Sequence, residues 1–429
     1  MRVIDDLEVT RVKPRKVAFA SFVGTAIEWY DFFIFGTAAA LVFGKAFFPS
    51  LSPLSGTLAA FATFGVAFVS RPAGAIVFGH FGDRIGRKKM LVFSLVLMGS
   101  STVAIGLIPT SGAIGLAAPV LLVLARLAQG FAVGGEWGGA VLMAVEHAPR
   151  ERRAFYGSWP QAGVPAGLVL ATLAFLLVEQ LPEDKVQAWG WRLPFLASAG
   201  LVAVGMYVRL KVVESPEFEN VKRNKKIADF PILAVLRGEK RALGVGILTQ
   251  AASLVPFYLV TVFVLSYGPK ELGISRQTIL LSILVACVLD ILSVPYASMI
   301  ADRIGARKML IYGSLYMAAI AYPFFWLLST GVGVAVLLAM ILIITIGHAV
   351  TYSAVAGYVT GLFPAEVRYT GASVAYQFGG VVFSAPAPFI AVAIAAEADG
   401  SWALAAYIAA ACAITVLVLT LTKTAKVNH

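Results

Sequence analysis

The sequence predicts an all-α membrane protein of twelve transmembrane helices in two pseudo-symmetric halves of six, with both termini on the cytoplasmic side. Three observations predict it. Of 429 residues, 59% are hydrophobic and only 13% charged, whereas soluble domains carry about 25% charged residues. Apolar runs of about 20 residues recur along the whole chain, each long enough to cross about 30 Å of hydrocarbon. A charged motif at 83–91 returns at 302–310.

The apolar runs place helices at about 17–43, 55–80, 89–109, 117–146, 155–180, 190–213, 241–267, 277–300, 309–329, 333–361, 370–396 and 402–422. The first run lacks a small-residue cleavage site and exceeds a signal-peptide core, so it reads as a retained span. Cys287 and Cys412 fall inside apolar spans, which argues against a disulfide framework. The net charge of +11 is organised by topology rather than by a nucleic-acid surface. Of 34 Lys+Arg, 27 fall on one side of this arrangement and only Lys45, Lys185, Lys270 and Arg276 on the other. The positive-inside rule then puts the rich side, with both termini, in the cytoplasm. Nine of those cations lie in 209–241, around the longest polar interruption. The chain thus divides into a first half (1–213), a cytoplasmic linker (214–240) and a second half (241–429).

The halves carry an internal repeat. "DRIGRKKML" at 83–91 and "DRIGARKML" at 302–310 agree at seven of nine positions with an offset of 219. Pro149 and Arg153 find Pro364 and Arg368 at an offset of 215. Repeats of equal orientation are related by an axis along the membrane normal. Gly130, Gly134 and Gly138, with Gly135 and Gly139, recur every four residues and suit close helix packing. No strand precedes them, so a phosphate-binding loop is excluded.

"GHFGDRIGRKKML" resembles the loop signature G-x-x-x-D-R-x-G-R-K of the major facilitator superfamily, through Gly79, Asp83, Arg84, Gly86, Arg87 and Lys88. The second copy keeps Asp302 and Arg303 but has Ser298 and Ala306 in place of the glycine and a basic residue. A carboxylate at a helix end amid cations can latch the loop onto the neighbouring half. "EWYDF", "RPAGAIVFGHFGDR", "RLAQGFAVGGEWGGA", "WRLPF", "ESPEF" and "RYTGAS" together resemble the metabolite:proton symporter family, and its shikimate and organic-acid carriers most. Glu146, Pro149 and Arg153 resemble the cytoplasmic gate of related sugar carriers, and Arg368 offers Glu146 a partner in the other half; Gly361 replaces the mirror-image glutamate. The resemblance implies the major facilitator fold in the cell membrane. It also implies proton-coupled import of a small molecule, with the proton as coupling ion and no other cofactor.

An ionised side chain at mid-membrane costs about 2.5–3.5 kcal/mol on insertion scales, so each one marks a functional hypothesis. The acids inside spans are Glu28, Asp31, Glu136 and Asp290, and the cations are Arg71 and Arg126; His348 adds a titratable group. At 1.5 Å per residue, Glu28, Asp31, Arg71, Glu136 and His348 lie about 15–21 Å from the cytoplasmic ends of their helices. Arg126 counts as nearer the outer face. Asp290 precedes Asp302 by twelve residues as Arg71 precedes Asp83, so equivalent positions carry opposite charges. Asp31 maps onto the uncharged Gln250.

Glu28 and Asp31 are three residues apart on one helix. Two such carboxylates in low dielectric resist losing both protons, which suits one of them to carry a proton. Asp31, Glu28, Glu136 and His348 are the candidates for proton coupling. Arg71 and Arg126 are candidates for binding a substrate carboxylate through a planar fork, with Tyr30, Gln250 and Asp290 beside them. Asp83, Arg84, Arg87, Lys88, Glu146, Arg153, Asp302, Arg303 and Arg368 are the gating candidates. The expected partners are a small carboxylate and the lipid bilayer, without nucleic acid, with the chain acting as a monomer. The alternatives are a zwitterionic osmolyte symporter of the proline/betaine kind and a proton-driven exporter. No nucleophile–base spacing, metal cluster or cofactor loop suggests an enzyme.

Overall fold

The computed structural model describes residues 14–85, 87–146, 148–149, 153–210, 231–364, 367–397 and 400–422. Twelve helices among these residues are long and apolar enough to span a membrane. They are α1 (Pro14–Phe47), α2 (Pro53–Phe78), α3 (Lys89–Leu107), α4 (Ala117–Val141), α5 (Phe155–Val178), α6 (Arg192–Leu210), α7 (Lys240–Glu271), α8 (Arg276–Ile304), α9 (Ala306–Ser329), α10 (Gly333–Gly361), α11 (Thr370–Glu397) and α12 (Trp402–Leu421). Most of the expected linker lies outside the described residues. Its last turns, Pro231–Gly238, form a short helix whose Val235 packs with Val359, Phe363 and Ala375 of the second half.

Within the first half α1 packs on α5 and α6, and α2 on α4; in the second, α7 packs on α11 and α12, and α8 on α10. The repeat is therefore visible in the packing as well as in the motifs. The halves meet along two seams that the repeat relates, α5 against α8 and α2 against α11.

Small residues set these approaches. A Cβ at Gly130 or Gly134 of α4 would land on the backbone carbonyls of Ala67 or Arg71 of α2. Only glycine lets the two backbones come that close. The chain turns at Gly134–Gly135, so α4 comprises Ala117–Val133 and a new segment opening on Glu136. Matching π-helical turns interrupt α1 at Ala39–Phe43 and α7 at Leu259–Phe263, and a longer one in α10 ends on His348.

At the end remote from the termini, ionic and polar contacts join the halves. Arg276 at the start of α8 lies 3.0 Å from Glu183 and 3.9 Å from Glu179, both in the connection after α5. Lys270 of α7 donates to Thr57 Oγ1 of α2 at 3.1 Å. The Gln187 amide, which donates to Glu183, and the Arg276 charge hold Glu183 below the usual carboxylate range, while burial pushes Glu179 up. A lowered value means that Glu183 favours these contacts between the halves at neutral pH and loses that effect as pH falls through its shifted titration. Glu179 acts in the opposite sense, since its protonation relieves the burial.

Glu183→Gln should loosen this end at pH 7 by the about 0.2–1 kcal/mol of an exposed ion pair. The difference from wild type should vanish as pH falls below 4.5, the ordinary value for the group. Spin-label distances between the α1–α2 and α7–α8 connections measure this, and identical distributions at pH 7 would show that the pair holds nothing shut.

Candidate functional site

Helix α1 carries Glu28 and Asp31 into the middle of the first half, where they are 4% and 1% exposed. Among the described residues no cation lies within 4.0 Å of Asp31. The Ser198 hydroxyl of α6 donates to its Oδ1 at 2.5 Å. Thr102 of α3 stands beside the same carboxylate and accepts from Gln129 Nε2 at 2.6 Å, and Gln129 Oε1 accepts from Arg126 Nη1 at 2.8 Å. Two neutral polar residues, Thr102 on α3 and Gln129 on α4, thus stand between Asp31 and Arg126, while the Thr102 hydroxyl itself donates to the Met98 carbonyl at 3.0 Å. Ser198, Thr102 and Gln129 escaped the sequence reading because uncharged polar residues are common in spans and carry no signal in hydropathy.

The two arginines converge on one ring. The Arg71 guanidinium lies 4.6 Å from the Phe32 centroid and 4.3 Å from Phe68, with Trp29 at 5.6 Å. That of Arg126 lies 4.5 Å from Phe32 and 4.0 Å from Phe35. Counting residues along α4 put Arg126 nearer the outer face. Its long side chain shares Phe32 with that of Arg71. No carboxylate lies within 4.0 Å of either guanidinium among the described residues, and the Nε of each is buried without a partner. Aromatic faces take the place of counter-ions. Arg126 is wholly enclosed and also donates to the Phe64 carbonyl at 3.3 Å; Arg71 makes no such bond.

Glu136 has a different partner from any the sequence suggested. Arg209, counted there among the linker cations, is buried at the end of α6, pairs with Glu136 and donates to the Leu91 carbonyl of α3. Gly24 of α1 leaves room for its guanidinium. Position at a helix end hid this arginine, since a terminal cation ordinarily reads as solvated.

The second half is sparser. Asp290 Oδ2 and His348 Nδ1 lie 2.8 Å apart, and the imidazole is stacked between Phe257 and Tyr352. The Tyr352 and Tyr376 hydroxyls meet at 3.2 Å. Gln250 spends its amide on the Gly246 and Ala375 carbonyls, bracing α7 to α11, and Tyr30 donates to the Pro194 carbonyl of α6 at 2.7 Å. Neither side chain reaches the two arginines with a hydrogen bond. Asp302 and Arg303 are exposed at the end of α8. The side chains of Asp83, Arg84, Arg87, Lys88, Glu146, Arg153 and Arg368 lie outside the described residues.

A family model described as the Major Facilitator Superfamily matches residues 21–388. The chain belongs to the major facilitator superfamily. Among curated relatives, the inner membrane metabolite transport protein YhjE of Escherichia coli K12 is 43% identical over 391 residues, covering 90% of this chain and 89% of the relative. The shikimate transporter of the same organism is 41% identical over 390 residues, with 90% and 89% covered. A proline/betaine transporter of Salmonella typhimurium is 33% identical, with 88% and 77% covered. The xylose transporter XylE, in a partially occluded inward-open conformation, superposes with a TM-score of 0.71 over 95% of this chain and 96% of its own at 17% identity, which speaks to the fold. This facilitator is therefore a multi-pass protein of the bacterial inner membrane, a carrier of small molecules and not an enzyme.

Removing one partner of a buried ion pair strands the other charge, at about 3–5 kcal/mol. Glu136→Gln or Arg209→Leu alone should therefore lower the unfolding temperature of the purified carrier, and the double replacement should recover most of the loss. Additive losses would show that the two do not act as a pair.

Proposed function

We propose that this facilitator is a proton-coupled symporter importing a small organic acid, shikimate-like or a dicarboxylate, by alternating access. One observation carries the reading: two buried guanidiniums share Phe32 while no carboxylate lies within 4.0 Å of them. Such a charge pair is completed by an anion that arrives and leaves. Arg71, which spends no hydrogen bond on the described residues, takes the substrate carboxylate, and Arg126 supplies fixed positive charge behind it. Asp31, hydrogen-bonded to Ser198 rather than ion-paired, carries the proton together with Glu28. The Gln129–Thr102 chain lets occupancy of the arginine side bias the protonation of Asp31.

Glu136 and His348 tune these groups through their partners Arg209 and Asp290. Tyr30 and Gln250 shape the site by bracing its helices. The loop charges Asp83, Arg84, Arg87, Lys88, Glu146, Arg153, Asp302, Arg303 and Arg368 gate the end that the charge bias assigns to the cytoplasm. The site is built within one chain, which supports a monomer as the working unit. Relatives that carry proline or betaine make a zwitterionic substrate the second reading. Two guanidiniums with no carboxylate within 4.0 Å among the described residues suit an acid without a cation of its own better.

In proteoliposomes, Asp31→Asn should abolish accumulation driven by a pH gradient while leaving substrate exchange at equal pH; full gradient-driven uptake would remove the proton from Asp31. Arg71→Ala should weaken carboxylate binding by about 10–100-fold, the 1.4–2.8 kcal/mol of a charge-assisted contact. Unchanged affinity would return Arg71 to a packing role.

A further inference from the structure

Where α4 meets α11 across the seam between halves, three polar atoms are buried without a hydrogen-bond partner among the described residues. Trp137 of α4 is stacked on Tyr376 of α11, ring centroids 4.2 Å apart and planes 4° from parallel, which fixes the plane of the indole. That Nε1 has no acceptor. Next to Tyr376 in the chain, Gln377 is 2% exposed and donates its Nε2 to the Gly134 carbonyl at 3.1 Å, while its Oε1 has no donor among the described residues. Ser373, one turn earlier on α11, also has an unpartnered Oγ. A buried polar atom left unsatisfied is uncommon and calls for a cause.

The three atoms are chemically complementary. Indole N–H can only donate, an amide carbonyl can only accept, and the serine hydroxyl does either. A hydroxyl group has the chemistry to satisfy both, accepting from an indole N–H and donating to an amide oxygen. Tyr376, held in the same stack, lies within electrostatic reach of Arg71 and Glu28, so the groups sit beside the proposed carboxylate site.

We propose that Trp137, Gln377 and Ser373 form a hydroxyl subsite, which makes the transported compound a hydroxy acid held by Arg71 at its carboxylate and by α4 and α11 at a hydroxyl. The inference rests on the carboxylate reading above and narrows it. Because Trp137 belongs to the first half and Gln377 to the second, a bound hydroxyl bridges both. An acid without the hydroxyl leaves the buried donor and acceptor unpaired, the arrangement that discriminates most strongly between analogues.

The test is equilibrium binding to the purified full-length carrier of two matched pairs, shikimate with cyclohex-1-ene-1-carboxylate and malate with succinate. In at least one pair the hydroxylated acid should bind about tenfold tighter or more. Trp137→Phe, which keeps a ring against Tyr376 and removes the N–H, should bring that ratio toward one while the affinity for the hydroxyl-free acid stays within about twofold. Gln377→Leu should do the same. Equal binding within both pairs by the wild type, a ratio that survives both replacements, or equal losses for both members of a pair would each overturn the subsite. Failure of all four acids to bind the wild type would remove the carboxylate reading itself, and the subsite with it.

Discussion

Every arrangement in the first half answers one constraint: a charge taken out of water must find compensation within a few ångströms. Glu28, Asp31 and Glu136 are buried there with Arg71, Arg126 and Arg209. A close ion pair joins Glu136 to Arg209. Asp31 is satisfied by a hydroxyl, and Arg71 and Arg126 by aromatic rings. This partial compensation separates a carrier from a locked bundle. A site in which every acid gripped an arginine would have little to gain from substrate or proton. Here the weakest compensation falls on Asp31, Arg71 and Arg126, the groups of the proposed site.

Close packing makes that geometry attainable. The carbonyl-to-glycine contacts of α4 on α2 bring the helices bearing Arg126 and Arg71 together, so two long side chains reach one ring. A bulkier residue at Gly130 or Gly134 would part those helices and with them the arginines. The turn at Gly134–Gly135 adds a second effect by placing Glu136 at the opening of a helical segment, where the positive end of the backbone dipole favours a carboxylate.

Much of this was legible in the sequence, and for physical reasons. Spans announce themselves because hydrocarbon tolerates so few charges, and the repeated loop motif gave the two-fold plan. The same scarcity picked out Glu28, Asp31, Glu136, Asp290, Arg71, Arg126 and His348. Partnerships were harder to read. Arg209 looked solvated because its position ends a helix, yet it is buried. Counting along α4 set the level of the Arg126 backbone, but a backbone rise says nothing about where a flexible side chain leads. Ser198, Thr102 and Gln129 link helices far apart in sequence, and only tertiary packing shows that.

The compensating contacts respect the boundary between the halves. Glu136–Arg209, Asp31–Ser198 and the Thr102–Gln129–Arg126 chain all close within α1–α6, and Asp290–His348 closes within α8–α10. During synthesis the first six helices therefore hold everything needed to shelter their own charges before the seventh emerges from the ribosome. The first half can settle in the bilayer as a finished electrostatic unit, and the second can dock against it without exposing an unpaired ion to lipid.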